Sequence, residues 1–126
     1  MLNKASICAD VATHDLKRAR EFYEKVLGLK PLRIDAHRGV YYRTDDGTML
    51  NLYERQHTPA EQTVATFLVE DIAETMAELR RSDVTFEEYD EPDLKTDKGV
   101  FSDGSGFKVC WFKDPDGNVL SLEQLS

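Results

Sequence analysis

The sequence predicts an α+β fold in which two βαβββ modules form an eight-stranded, incompletely closed barrel around a cavity. Strand-like and helix-like stretches follow one another in the same order in both halves of the 126 residues. Each predicted helix begins at an Asp followed by an apolar residue, Asp15-Leu16 and Asp71-Ile72, and each half ends in a hairpin with a glycine turn. One module alone would leave a face of its sheet uncovered, whereas two modules can enclose a cavity.

We expect a single domain, 1–126, with module 1 at about 1–54, a polar linker at about 55–63 and module 2 at about 64–126. Strands of the first module are predicted at 5–12, 29–35, 39–44 and 48–53. The Asp46-Gly47 pair predicts a tight hairpin turn before the last of them. A helix is predicted at 15–28 because apolar residues recur there at helical spacing, and Gly28 suits the left-handed position that ends a helix.

The second module repeats this order. Strands are predicted at 64–70 and 84–89, and a loop-rich stretch at 91–105. Asp71 is the expected N-cap of the helix, with Glu74 three residues on in a capping-box arrangement. The clearest local signal is at 107–124, where two strand-like runs flank the turn sequence DPDGN. In such a turn Pro presets φ, Gly adopts φ > 0, and Asp and Asn side chains bond nearby backbone N–H groups.

The chain carries 24 acidic and 16 basic residues, a formal net charge of −8. This charge argues against nucleic-acid binding, which needs clustered positive charge, and is compatible with a cationic small-molecule ligand or with solubility alone. No apolar run is long enough to span a bilayer and no signal peptide is readable, so we expect a cytoplasmic protein with no membrane partner. Cys8 and Cys110 have no CxxC spacing and are expected to be free thiols.

Four stretches resemble the vicinal oxygen chelate superfamily, which includes glyoxalase I, the extradiol dioxygenases and the bleomycin resistance proteins. They are DLKRAREFYEKVLGLKPL at 15–32, DGTMLNLY at 46–53, FLVEDIAETMAELR at 67–80 and FKDPDGNVLSLEQ at 112–124. The resemblance covers nearly the whole chain, and FY..VLG followed by DP.GN is fairly specific for the superfamily. Because bleomycin resistance proteins are dimers with ligand grooves at the subunit interface, the resemblance implies a homodimer. It does not define an activity, since one fold hosts many chemistries.

The resemblance also implies four metal-ligand positions, which hold His, Glu or Gln in the metal enzymes of the superfamily. The matching positions here are Cys8, Asn51, Val64 and Ser121. Val64 has no donor atom, Asn51 and Ser121 are weak neutral ligands, and one Cys is not enough for a divalent ion. We therefore predict no metal, no cofactor and a place in the metal-free, bleomycin-resistance-like branch. The histidines occupy none of these positions and are expected at the surface: His14, His37 and His57.

The period-two alternation of strands assigns side chains to the predicted cavity. The side chains predicted to bind a ligand are Cys8, Asp10, Tyr42, Asn51, Tyr53, Thr66, Trp111, Ser121 and Glu123. Uncompensated carboxylates are costly to bury, so Asp10 and Glu123 admit two explanations. Either they lie at a solvated rim or bond to Tyr53 and Thr66, or they serve a ligand, a general base or an alternative metal site.

The orientation of two aromatic residues depends on loop length. If Asp46-Gly47 is a two-residue loop, Tyr42 pairs with Asn51 and faces the cavity. Trp111 faces the helix side if the loop after its strand has an even number of residues, and the cavity if the number is odd. In similar proteins the residue at this place often lines the pocket, which favours the cavity. Aromatic rings there would stack on a planar ligand, and ordinary core packing is the alternative.

The sequence supports two competing functions. The first is a metal-independent binding protein that sequesters an aromatic or cationic compound, as bleomycin-type resistance proteins do. The second is a glyoxalase- or dioxygenase-like lyase or isomerase with an unusual site, in which Asp10 or Glu123 is the general base and Tyr53 a proton donor. A pure interaction module is a third alternative. We assign no catalytic residue and take the small-molecule binding protein as the working hypothesis.

Overall fold

The computed structural model describes residues 1–35, 39–56 and 59–126. The chain divides into two units, Met1–Pro59 and Ala60–Ser126, each with its own helix and its own four-stranded sheet. His14 is exposed, as expected, while His37 and His57 lie outside the described residues. None of the helices in the described ranges is long and apolar enough to cross a membrane. The predicted α+β class and the two βαβββ modules are confirmed.

The first unit has the strand order β1-β4-β3-β2, with β1 parallel to β4 and the other neighbours antiparallel. Its elements are β1 (Cys8–Thr13), α1 (Leu16–Glu21), β2 (Pro31–Asp35), β3 (Gly39–Arg43) and β4 (Met49–Glu54). Alternate strand positions are buried, and Val11, Val40, Leu50 and Leu52 form the core of this unit. The parallel pairing explains why β1 and β4, far apart in sequence, place their side chains in one row.

Local chemistry sets the limits of the first helix. Asp15 caps α1, since its Oδ1 accepts the N–H of Arg18 at 3.2 Å. After α1 the backbone widens into a π turn, Phe22–Val26, and Gly28 ends the helical stretch at φ +77°. Ala19 on α1 is fully buried. The predicted helix at 15–28 is therefore present, with a wider second half.

The prediction that Tyr42 pairs with Asn51 is wrong. The loop between β3 and β4 spans five residues, 44–48, instead of two. Because five is odd and two is even, every side chain of β3 moves to the opposite face from the predicted one. Tyr42 pairs with Leu50 and is buried, while Tyr41 takes the place opposite Asn51.

The second unit repeats the topology, with the strand order β5-β10-β9-β8. Its elements are β5 (Thr63–Leu68), α2 (Ile72–Arg81), β6 (Asp90–Glu91), β7 (Leu94–Lys95), β8 (Phe101–Ser102), β9 (Lys108–Lys113) and β10 (Val119–Gln124). Strands β6 and β7 form a separate small hairpin. Asp71 caps α2 as predicted, because its Oδ1 accepts the N–H of Glu74 at 3.0 Å.

The predicted hairpin at 107–124 is confirmed. Asp114 organises its five-residue loop: Oδ1 accepts the N–H groups of Asp116 and Asn118, both at 2.9 Å, and Oδ2 accepts the Asn118 side-chain amide at 2.9 Å. All three side chains are buried, so these hydrogen bonds replace the water that a carboxylate would otherwise need. The odd loop length places Trp111 opposite Ser121.

The predicted strand at 84–89 is absent. Only Phe86 makes an isolated bridge, to Phe112. Its ring packs against that of Phe112 at 5.7 Å and lies under the Arg80 guanidinium at 5.0 Å. Phe86 is therefore apolar because it packs against β9 and not because it belongs to a strand. The fourth strand of the sheet is β8, inside the stretch predicted as loop.

Candidate functional site

Each sheet has one face that packs on the helix of its unit and one that is turned away from it, here called the far face. The far face of the first sheet carries Cys8, Asp10, Tyr41, Asn51 and Tyr53. The far face of the second sheet carries Thr66, Trp111, Ser121 and Glu123. All predicted binding residues except Tyr42 thus lie on a far face, because the alternation on either side of the buried Leu50–Leu52 and Leu120–Leu122 pairs is as expected.

A row of three residues crosses the far face of the first sheet. Asp10, Asn51 and Tyr41 are direct neighbours on β1, β4 and β3. The amide of Asn51 donates to Asp10 Oδ1 at 3.2 Å, so Asp10 bonds to Asn51 and not to Tyr53. The ring of Tyr41 is 38 % exposed beside this pair. The row therefore offers a polar pair and a partly exposed aromatic surface next to each other.

The second sheet repeats this row. Thr66, Ser121 and Trp111 are direct neighbours on β5, β10 and β9, at the places that the first row holds in its own sheet. The hydroxyls of Thr66 and Ser121 are 2.6 Å apart, so Thr66 bonds to Ser121 and not to Glu123. Trp111 meets Tyr89 edge to face at 5.3 Å. The duplication seen in the element order thus extends to a polar pair flanked by an aromatic ring.

The far face of the first sheet is hollowed by a depression of about 570 Å³. Its lining includes Arg33, Tyr41, Asn51 and Tyr53. Gly39 forms part of the floor, and a Cβ at this position would lie 2.1 Å from the carbonyl oxygen of Leu52. The volume is within the range of small-molecule pockets. The depression is therefore large enough for a ligand of several rings.

The remaining predicted residues lie two positions along their strands from these rows: Cys8, Tyr53 and Glu123. Glu123 lies two residues after Ser121 and is half-buried, and its carboxylate has no hydrogen bond or ion pair in the described part of the chain. Burial raises the pKa of the Cys8 thiol, and the Asp10 carboxylate raises it further, outweighing a backbone hydrogen bond to Asn51. Cys8 therefore stays protonated at neutral pH, which makes it a poor nucleophile.

The donor atoms at the four family metal positions do not fit a divalent ion. Val64 has none, Asn51 and Ser121 offer only neutral oxygens, the Ser121 hydroxyl is hydrogen-bonded to Thr66, and a single thiol at Cys8 does not make up a set of His or carboxylate ligands. Across residues 1–35, 39–56 and 59–126, no three His, Cys, Asp or Glu side chains come together as a metal site. Asn51 and Ser121 instead take part in the polar pairs of the two far faces, with Asp10 and with Thr66.

A second groove, of about 550 Å³, lies on the helix side of the first unit. It is lined largely by charged side chains, among them Arg20, Glu24 and Glu54. Arg20 Nε donates to Glu24 Oε2 at 2.7 Å, and Glu54 Oε2 accepts the N–H of Leu16 at 2.9 Å. Arg20 and Glu24 pair with each other and Glu54 caps α1. Among the described residues no aromatic side chain lines this groove, so the depression on the far face, with Tyr41 and Tyr53, is the stronger candidate for a planar ligand.

Two modules of one topology, each with a polar row on the far face of its sheet, define a protein of the paired βαβββ class. The sequence model of the Glyoxalase/Bleomycin resistance protein/Dioxygenase superfamily matches residues 6–122, and the chain belongs to this superfamily. No curated protein is similar enough to the sequence to count as a match.

Solved structures with the same fold come from different bacteria. A glyoxalase family protein from Bacillus anthracis has a TM-score of 0.76 and 16 % identity, with 98 % of this chain and 96 % of that one covered. TnmS3, an antibiotic binding protein from Streptomyces sp. CB03234, has a TM-score of 0.74 and 23 % identity, with 100 % and 99 % covered. A lactoylglutathione lyase from Agrobacterium tumefaciens has a TM-score of 0.72 and 18 % identity, with 96 % and 93 % covered. At these identities the likeness concerns the fold.

Five residues that line the depression are not among the predicted binding residues: Arg33, Asp35, Gly39, Tyr41 and Glu54. A two-residue loop would place Tyr41 on the helix side, whereas the observed five-residue loop places it on the far face. Arg33 alternates with Leu32 and Ile34 along β2, and this period-two pattern places it on the far face with Tyr41, its neighbour on β3. The alternation of Arg33 with its apolar neighbours is visible in the sequence. Which face of the sheet Arg33 occupies follows only from the pairing of β2 with β3.

Proposed function

We propose that the protein is a metal-independent binding protein that sequesters a planar aromatic small molecule on its far faces. In this proposal it acts as a homodimer in the cytoplasm and confers resistance to a toxic compound. The observation that carries the proposal is the duplicated row, in which a hydrogen-bonded polar pair stands beside an aromatic ring at Tyr41 and again at Trp111.

The chemistry of the rows supports binding by stacking and hydrogen bonds. Tyr41 is 38 % exposed and Tyr53 lines the same depression, so both rings can cover the face of a planar ligand. The polar pairs supply donors and acceptors to fix its orientation. TnmS3 is an antibiotic binding protein, which is consistent with this use of the fold.

The proposal is tested by thermal denaturation with a panel of naphthalene and anthraquinone derivatives. Binding to the folded state alone raises Tm, and the stabilisation at a hundredfold excess over Kd is about 2.7 kcal/mol. We expect at least one compound to raise Tm, and Tyr41→Ala to raise its Kd about three- to tenfold, because one aromatic contact is worth about 0.5–1.5 kcal/mol.

Ile34→Ala is the matched control, since Ile34 is 53 % exposed on the same sheet but lies on the helix side. It should leave Kd unchanged. A panel without any Tm shift, or equal effects of Tyr41→Ala and Ile34→Ala, would contradict the proposal.

A further inference from the structure

Arg33 brings a positive charge to the depression on the far face of the first sheet. It lies directly opposite Tyr41 across the β2–β3 pair, and both residues line the depression. Within the described residues its guanidinium has no ion pair or hydrogen-bond partner. An arginine held beside an aromatic ring without a counter-ion is available to a ligand.

The two acidic residues that line the same depression are already engaged. Glu54 Oε2 accepts the N–H of Leu16 at 2.9 Å, at the start of α1. Asp35 has an interaction of its own. Among the charged side chains of this lining, Arg33 is therefore the one without a hydrogen bond or ion pair in the described part of the chain, so a ligand can pair with it without displacing an existing contact.

The charge of the whole chain does not decide what binds here. The net charge of −8 attracts cations to the surface as a whole. Inside a depression the nearest charge dominates, because salt screens interactions beyond about 8–10 Å. The lining holds one positive and two negative side chains, so the position of Arg33 decides where an anionic group of a ligand is placed: beside the guanidinium and away from Asp35 and Glu54.

We infer that the ligand of this depression is a planar aromatic compound with a carboxylate or similar anionic oxygen group, its ring against Tyr41 and Tyr53 and its anionic group on Arg33. The guanidinium presents a planar fork of N–H donors that matches two oxygens of a carboxylate. This inference rests on the proposed function and specifies the chemical class of the ligand.

Three probes with one ring system test it: naphthalene-2-carboxylate, naphthalene-2-carboxamide and 2-(aminomethyl)naphthalene. Calorimetric titration gives their Kd values for the wild type and for Arg33→Gln, and amide chemical shifts at residues 41 and 53 locate the probe. We expect the carboxylate to bind about three- to tenfold more tightly than the carboxamide, because an ion pair with Arg33 in a partly open site contributes a modest binding energy. In Arg33→Gln this preference should disappear while the Kd of the carboxamide stays unchanged.

Arg43→Gln is the matched control, because Arg43 is an exposed arginine of β3 on the same face but outside the lining of the depression. It should keep the full preference. Equal binding of carboxylate and carboxamide to the wild type, or a preference that survives in Arg33→Gln, would overturn the inference and leave the proposed function standing. Failure of all three probes to bind the wild type would overturn both.

Discussion

The phenol of Tyr42 donates a hydrogen bond of 2.8 Å to Glu24 Oε2, and the Arg20 guanidinium donates to the same oxygen at 2.7 Å. Tyr42 is 1 % exposed, and its ring stacks on Tyr23 at 6.4 Å. Burial raises the pKa of Tyr42, and the neighbouring Glu24 raises it further. Burial alone would raise the pKa of Glu24, but the hydrogen bonds from Arg20 and Tyr42 outweigh it and lower that pKa. The residue predicted to bind a ligand thus anchors the helical stretch to the sheet.

Tyr42→Phe should lower the free energy of unfolding by about 1–2 kcal/mol at neutral pH, because it removes a hydrogen bond to a charged, half-buried partner. Below the ordinary Glu pKa of 4.5, the unfolded state takes up a proton first. The stabilisation from Glu24 is therefore lost as the pH falls through its lower folded-state pKa, and the difference between wild type and variant should shrink with it.

Urea denaturation at pH 7 and at steps below pH 4.5 measures this difference. Tyr41→Phe, next along β3 but with an exposed ring, is the control and should change stability by less than about 0.5 kcal/mol. Equal losses in the two variants at pH 7, or a difference that grows in acid, would contradict this role of Tyr42.

At the scale of elements, a side chain from the last strand of each unit caps the helix of that unit. Glu54 at the end of β4 accepts the N–H of Leu16, and Gln124 at the end of β10 accepts the N–H of Ile72, both at 2.9 Å. These are the first N–H groups of α1 and α2, which have no partner within the helix. The same capping arrangement at the start of both helices supports the internal duplication.

Glu54→Ala and Gln124→Ala should each lower the free energy of unfolding by about 0.5–1.5 kcal/mol, because each leaves a helix N–H without its acceptor. Glu54→Gln and Gln124→Glu keep an acceptor oxygen and should retain most of the stability. Denaturant unfolding measures both pairs. A loss as large in Glu54→Gln as in Glu54→Ala would show that charge, not the hydrogen bond, stabilises the helix start.

Elements with local signals were predictable from the sequence, and elements fixed by distant contacts were not. Asp15, Asp71 and the hairpin around Asp114 follow from residue chemistry within five positions. The side of the sheet that Tyr42 occupies depends on a loop length that Asp46-Gly47 did not reveal. The segment around Phe86 and the short strand β8 depend on packing against β9, which no local pattern encodes.

The repeated topology and the superfamily were predictable because the helix starts and turn motifs recur in order. Most far-face residues were predictable too. Side chains of a strand alternate between its two faces, so a buried pair such as Leu50 and Leu52 assigns the residues on either side to the far face. The partners of Asp10 and Thr66, by contrast, depend on the register between strands distant in sequence. The specificity proposed for Arg33 depends on the same register.

Metal independence is tested most directly by calorimetric titration of naphthalene-2-carboxylate into the purified protein, before and after dialysis against EDTA. We predict saturable binding with the same Kd in both samples, no stoichiometric metal by mass spectrometry, and no tightening when Zn²⁺ is added back. Binding that is lost after EDTA and restored by Zn²⁺ or another divalent ion would contradict the proposal that hydrogen bonds and aromatic stacking alone hold the ligand.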